Sequence, residues 1–484
     1  MKKKKLLALG LAAVMAMSVF TGCGNVQTAE EAGEAPVAES TESSQVEMEG
    51  EGDKEIDVLL YMQEHEKAIY EKVIADFTEA HKDEIKKINF EITTQDEYAT
   101  KMTAAMTADD MPDVFYIGPD QVRNYVDNGY ALPLDDYVDS ATVDNLWPAI
   151  KSAYMYDGTN VGEGSLYCLP KDLSCFAFAY NKDLFDEAGI AYPDPNEPYT
   201  YDEFVDVCKQ LTKDKDGDGE IDQWGVANAN AFGMTPYLFG NGARFLNEDH
   251  TKVIINESPE FKEAFKWYCD LTATEGVTPT VEQDTALGGY QRWLDGQIAF
   301  YACGTWDVAA FMDDATFPYE WDLCAYPVGP SGDGKSRAWL GSVGYAVSSK
   351  TEFPELCAEL VQNLSTDLET QKAVSGETTG SSLQLPNIMD YAKTTFKEKV
   401  ADGTIPYASN VDVIFNYIEG TDKYEGIFAE QTYTYNAEWW DIFLEGIPNV
   451  QNGSMTAEEY IEQVQPKMQE ALDNAIELQN SATK

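Results

Sequence analysis

Between residues 211 and 225 the chain reads LTKDKDGDGEIDQWG. Asp214, Asp216 and Asp218 stand at alternate positions, followed by Glu220 and Asp222. That is oxygen-ligand chemistry. A hard cation such as calcium takes about 6–8 oxygens, and EF-hand loops supply them from alternate positions, closing on a bidentate Glu at the twelfth. Here the closing position holds Gly225. The segment therefore predicts a structural calcium clip, completed by a distant carboxylate or by water, or else a plain acidic turn. A calcium sensor would also need a pair of helices able to open. Other reactive chemistry is sparse. His65, His81 and His250 lack metal-ligand spacing, GEGSLY is no nucleophile elbow, and no Walker A sequence occurs. With 85 acidic residues, carboxylate pairs of the kind glycosidases use carry no information.

The start of the chain addresses the compartment. Lys2 to Lys5 precede an apolar stretch, Leu6 to Phe20, which reads as a secretory signal over residues 1–22. It ends in SVFTGCGN, which resembles a bacterial lipobox with Phe20 in place of the usual Leu. That resemblance implies lipidation of Cys23 and a membrane anchor at the extracellular face. Residues 24–53 contain no Lys, Arg or aromatic residue. Residues 23–53 are accordingly expected to be a lipidated Cys and a disordered acidic tether.

Net charge is −52, and removing residues 1–22 takes away four Lys and no acid, leaving about −56. Nucleic-acid binding needs clustered Lys and Arg and is excluded as a function class. The body is long enough for two domains, and 44% hydrophobic residues can supply their cores. Seven cysteines follow Cys23, an odd number without a CxxC, mostly inside apolar runs such as CFAFAY. They are expected to be buried free thiols, with a Cys168–Cys175 bridge as the alternative.

The elements that must position any site alternate in type. EIDVLLYM, INFEITT and PDVFYI read as strands; KAIYEKVIADFTEAH and the Tyr98, Met102, Met106 spacing read as helices. That order predicts βαβ units and an α/β fold. Thr200–Glu203 and Thr456–Glu459 are capping boxes that open two further helices. No internal repeat or long mid-chain linker separates two halves, so the lobes must be interwoven.

MPDVFYIGPDQVRNYVDNGYALPLDDYV, LYCLPKDLSCFAFAYNKDLFDEAGI, PYTYDEF, DGQIAFYACGTW and VGYAVSSKTEFPELCAELVQNLST occur in this order. Together they resemble the extracellular solute-binding proteins of carbohydrate ABC transporters, the maltose-binding-protein-like family 1, over residues 54–480. The resemblance implies a two-lobed periplasmic-binding-protein-like fold of type II, with hinge crossings between lobes. It places the N-lobe at 54–172 plus 346–395 and the C-lobe at 173–345 plus 396–484. It implies a non-enzymatic, monomeric receptor that captures a mono- or oligosaccharide and delivers it to ABC permease subunits. The alternatives are a secreted glycan-degrading enzyme and a polysaccharide-binding adhesin.

The same resemblance marks ligand-binding positions. Asp120, entering a loop after a strand, falls where the family has an Asp accepting sugar hydroxyls; capping the next helix is its other reading. Trp306 falls at a cleft tryptophan, with burial in the core as the alternative. Adjacent residues do not share a helix face, so of Trp439 and Trp440 one packs and Trp440 takes the stacking position. Asp172 and Ser174 lie at the first hinge crossing. Gln63 and Glu64 follow the first strand, and Asn230 and Phe232 fall near family contacts. Gly341 opens the second crossing, where glycine lets a ligand approach closely. A receptor for sugar needs aromatic faces and polar rims, and the chain has 9 Trp and 28 Tyr to supply the former.

Overall fold

The computed structural model describes residues 43–229 and 231–482. The chain first lays down β1 (Ser44–Glu49), β2 (Lys54–Tyr61), β3 (Ile85–Thr93) and β4 (Val114–Ile117). A small hairpin follows, β5 (Met155–Tyr156) with β6 (Ser165–Leu166). Next come β7 (Cys168–Pro170), β8 (Ser174–Asn181), β9 (Trp224–Val226), β10 (Ile298–Gly304), β11 (Trp321–Cys324) and β12 (Ser336–Gly341). The last two are β13 (Gly344–Val347) and β14 (Tyr424–Phe428).

These strands sort into two large sheets. The first has the order β1-β3-β2-β4-β13-β7. β2 runs parallel to β3 and β4, with the helix Glu64–Ala80 between β2 and β3 and the helix Gln95–Ala108 between β3 and β4. This is the βαβ arrangement that the alternating pattern predicts. The second sheet has the order β14-β12-β8-β10-β9, with β11 also paired to β8. β8 is buried at every position, which is why CFAFAY carries no alternation. The chain passes from the first sheet to the second at 171–173 and returns at 342–343. β13 already pairs in the first sheet at Gly344, slightly ahead of the boundary expected at 346.

One expectation is overturned near the start. The composition of residues 23–53 predicts a disordered tether, yet Ser44–Glu49 forms the antiparallel edge strand on β3. SQVEME alternates, so one face carries Ser44, Val46 and Met48, all half-buried, and the other carries Gln45, Glu47 and Glu49. Composition argues against a core here, but an edge strand needs only a backbone ladder and one apolar side. The expected signal, Cys23 and the rest of the tether up to residue 42 lie outside the described residues.

Both capping boxes form. The Glu203 and Glu459 carboxylates accept from the backbone N–H of Thr200 (2.8 Å) and Thr456 (3.1 Å). All seven cysteines after Cys23 are free and buried. A Cys168–Cys175 bridge does not form, because those residues belong to different sheets. No helix among the described residues is long and apolar enough to cross a membrane.

Candidate functional site

The two crossings lie side by side and are tied through one carboxylate. Asp172 Oδ1 accepts from Ser174 Oγ (2.5 Å) on the first crossing and from Ser342 Oγ (3.0 Å) on the second. Its other oxygen lies 3.4 Å from Lys171 Nζ, and Lys171 Nζ lies 2.6 Å from Glu66 Oε1. Gln384 Nε2 also donates to Glu66. All of these side chains are buried. Burial opposes the Lys171 charge, but Glu66 and Asp172 outweigh it, so the ammonium is held above its ordinary pKa. A buried charge left unpaired would be strongly destabilising, so this set stands or falls together.

On the second-sheet side of the crossings lies an aromatic patch. Phe176 on β8 is buried, whereas Trp306 and Trp339 are half-buried and Phe232 is 41% exposed. The Phe176 ring meets Trp306 edge-on at 5.4 Å and Trp339 at 5.7 Å. Phe232 lies 4.9 Å from Trp339. The two indoles are 6.4 Å apart and nearly perpendicular, at 86°. Each rests on a glycine: a Cβ on Gly304 would overlap Trp306, and a Cβ on Gly341 would overlap Trp339. Strand pairing brings those seats together, since Gly304 opposes Phe176 and Gly341 opposes Ser174. Asp307 follows Trp306 and accepts from Gly304 N–H (3.0 Å); burial pushes its carboxyl up to about 7.

The first sheet presents the carboxyl ends of its parallel strands, the end at which open α/β sheets hold ligands. β2 ends at Tyr61, whose ring meets Tyr98 (5.1 Å) and Tyr116 (5.3 Å) edge-on. Burial raises the Tyr61 hydroxyl, and Lys171, Asp120 and Asp172 all act on it electrostatically. β4 leads through Gly118 to Asp120, which is open to water. Desolvation nonetheless raises the Asp120 carboxyl, with Asp441 adding a like charge. Asp120 thus stands exposed past the carboxyl end of β4, within electrostatic reach of Asp441. Gln63 and Glu64 are exposed beside Tyr61, where Gln63 N–H donates to the Glu66 carboxylate (2.9 Å) at the start of the helix Glu64–Ala80.

A sequence model described as "Bacterial extracellular solute-binding protein" matches residues 62–368. The chain belongs to this family. Among curated relatives, the solute-binding protein is 25% identical over 279 residues to the diacetylchitobiose binding protein DasA of Streptomyces coelicolor, covering 57% of this chain and 61% of the relative. It is 22% identical over 298 residues to the arabinooligosaccharide-binding protein of Halalkalibacterium halodurans, covering 60% and 63%. The matches thus span about three fifths of these relatives' own length. Among solved structures it is similar to the ABC substrate-binding protein Lmo0181 from Listeria monocytogenes in complex with cycloalternan, with TM-score 0.71, 21% identity, and coverage of 87% of this chain and 100% of that one. A second is MalE from Bdellovibrio bacteriovorus bound to maltotriose, with TM-score 0.65, 18% identity, and coverage of 87% and 100%. These likenesses show the two-lobed, maltose-binding-like α/β fold.

The solute-binding protein's expected site residues fall in separate places. Trp306 and Phe232 share the aromatic patch, and Asp120, Gln63 and Glu64 follow the ends of β4 and β2. Others are placed differently. Trp440 is 4% exposed, edge-on to Phe245 at 4.8 Å and stacked on Phe443. Trp439 is fully buried, its Nε1 donating to Thr434 Oγ1 (3.1 Å). The helix Glu438–Leu444 turns Glu438 and Asp441 to water and both indoles inward, so neither indole is offered to a guest. Asp172 and Ser174 spend their polar atoms within the hinge. The space beside Gly341 holds the Trp339 ring, so this glycine seats an indole where direct ligand approach was expected. Asn230 lies outside the described residues. Trp339, Phe176 and Tyr61 were missed by sequence reasoning. WLG, the mirror of GTW, was the available signal for Trp339.

The acidic loop folds on itself. Asp214 accepts from Gly217 N–H (2.6 Å) and Gly219 N–H (2.9 Å), and Asp222 from Lys215 N–H (2.7 Å). Asp216 and Asp218 accept from the N–H groups two residues on. Gly217 and Gly219 have φ of 80° and 100°, which glycine adopts without strain. Oxygens of Asp214, Asp216 and Asp218 lie within 4.8 Å of one another, while Glu220 is exposed. Asp216 and Asp222 border a hollow also lined by Asp183, Glu187 and Asp295. None of the aromatic patch lines it.

Proposed function

We propose that this chain is a closing receptor that captures a neutral mono- or oligosaccharide between its two lobes and hands it unaltered to an ABC-type permease. The observation that carries the reading is the pair of half-open indoles on glycine seats beside the crossings; the exposed Asp120 carboxylate past the end of β4 supplies a polar wall on the first-sheet side. A pyranose ring has apolar C–H faces and a hydroxyl rim, and these two walls match them. The printed names of relatives, among them diacetylchitobiose- and arabinooligosaccharide-binding proteins, support a carbohydrate guest. The lobes follow the two sheets, with ligand shifting an open–closed equilibrium about the paired crossings.

The receptor acts as a monomer at the extracellular face of the membrane, held there by lipid on Cys23. It performs no catalysis. Small-angle scattering with and without a saturating sugar, chosen by thermal-shift screening of a saccharide panel, tests this reading. The radius of gyration is expected to fall on binding. A panel without any binder, or an unchanged radius at saturation, refutes it.

The acidic loop is proposed to hold a structural calcium ion through Asp214, Asp216 and Asp218, with Asp222 and Glu220 as supporting oxygens. Neutralising this cluster would fix the turn. Adding calcium to chelator-treated protein should raise Tm by a few degrees, corresponding to about 1–3 kcal/mol. Asp216→Asn should abolish that gain.

A further inference from the structure

Given a carbohydrate guest, as proposed for this crevice, the angle between the two indoles bears on which saccharide is accepted; the selectivity rests on that reading. Trp306 lies with one side against Gly304 and Trp339 with one side against Gly341. Both remain half-buried, so each keeps part of its surface for a guest. Their planes stand at 86° with centroids 6.4 Å apart. Phe176 packs against both at 77° and 83°, and it is itself buried, so the corner is braced from behind. Phe232, tilted 42° to Trp339, extends that wall outward.

A flat guest cannot cover two perpendicular platforms. Nor can neighbouring units of a β-1,4-linked chain, because the equatorial–equatorial linkage keeps successive ring planes nearly parallel. An axial glycosidic bond inclines them steeply. We propose that Trp306 and Trp339 form a right-angled corner that selects saccharides bent at the glycosidic bond, α-linked units above all, over the flat ribbons of β-1,4-linked chains. Trp306 supplies one stacking face, and Trp339 is the specificity-determining residue that reads the bend.

The test uses the full chain and pairs of saccharides that share composition and differ in linkage: maltotriose with cellotriose, maltose with cellobiose, and α-1,4- with β-1,4-linked mannobiose. Titration calorimetry is expected to find the α-linked member of a bound pair about tenfold tighter, the factor equivalent to about 1.4 kcal/mol for one stacked ring. Trp339→Ala is expected to narrow that gap to within about threefold, whereas Trp306→Ala weakens both members. Trp339→Leu, which keeps bulk and removes the π face, replaces the alanine variant if that one fails to fold. Equal binding within pairs, a preference for the β-linked member, or an unchanged preference after loss of Trp339 overturns the corner while leaving the saccharide receptor intact. Absence of binding across all pairs and across the wider saccharide panel removes the receptor reading, and the corner with it.

Discussion

The two walls of the crevice are built by opposite means. The first-sheet wall takes its polar groups from strand ends: Tyr61 closes β2, and Asp120 follows β4. The second-sheet wall takes large rings from within strands, Phe176 on β8 and Trp339 on β12, and from the turn just past β10, Trp306, and makes room for the indoles by omitting side chains at Gly304 and Gly341. One wall is adjustable, since a carboxylate on a loop can turn. The other is fixed, since an indole over a glycine and against Phe176 has few rotamers left. On the proposed reading, the aromatic wall would orient a guest and the polar one would read its rim.

The comparison can be broken most sharply at Trp306. Trp306→Ala should weaken the best-binding sugar by about 2–4 kcal/mol in calorimetry, because a central aromatic anchor is lost. Its Tm should move little, as the ring is half-open. Next in size, Gly341→Ala forces a Cβ into the Trp339 ring and should destabilise the fold by about 1–3 kcal/mol in urea titration. The same change at Gly334, where nothing lies within reach of a Cβ, provides the control for local crowding, although its φ of 82° adds its own strain. On the polar wall, Asp120→Asn should cost only about 1 kcal/mol of affinity, since an amide still accepts one hydrogen bond.

A separate effect is on pH. Burial pushes Asp307 and Glu430 up to about 7, although Glu430 accepts from the N–H groups of Phe245 and Leu246. Both groups bind protons in the folded state at pH values where the unfolded chain has released them. Their contribution to stability therefore falls as pH rises from about 4 through 7. Tm should drift downward across that window, and Glu430→Gln should flatten the drift.

Much of this was legible in the sequence because it rests on local rules. Alternation gave β2 and β3, and the capping boxes at Thr200 and Thr456 formed where Thr and Glu stand three apart. Trp306 and Phe232 could be singled out by resemblance to a family. Trp339 could not, because its role depends on Gly341 two residues later and on Phe176 from a distant strand. Trp439 and Trp440 misled for the converse reason. Helical spacing assigns faces, but not what covers them, and here Phe245 and Phe443 take the face expected to be free. β1 was hidden by composition, since a strand that borrows its partner needs few apolar residues of its own.

The shared acceptor between the crossings restricts how the molecule moves. Two connectors that hydrogen-bond to the same carboxylate cannot bend independently without one losing its bond to Asp172. In the closing motion proposed above, the two connectors would therefore bend as one.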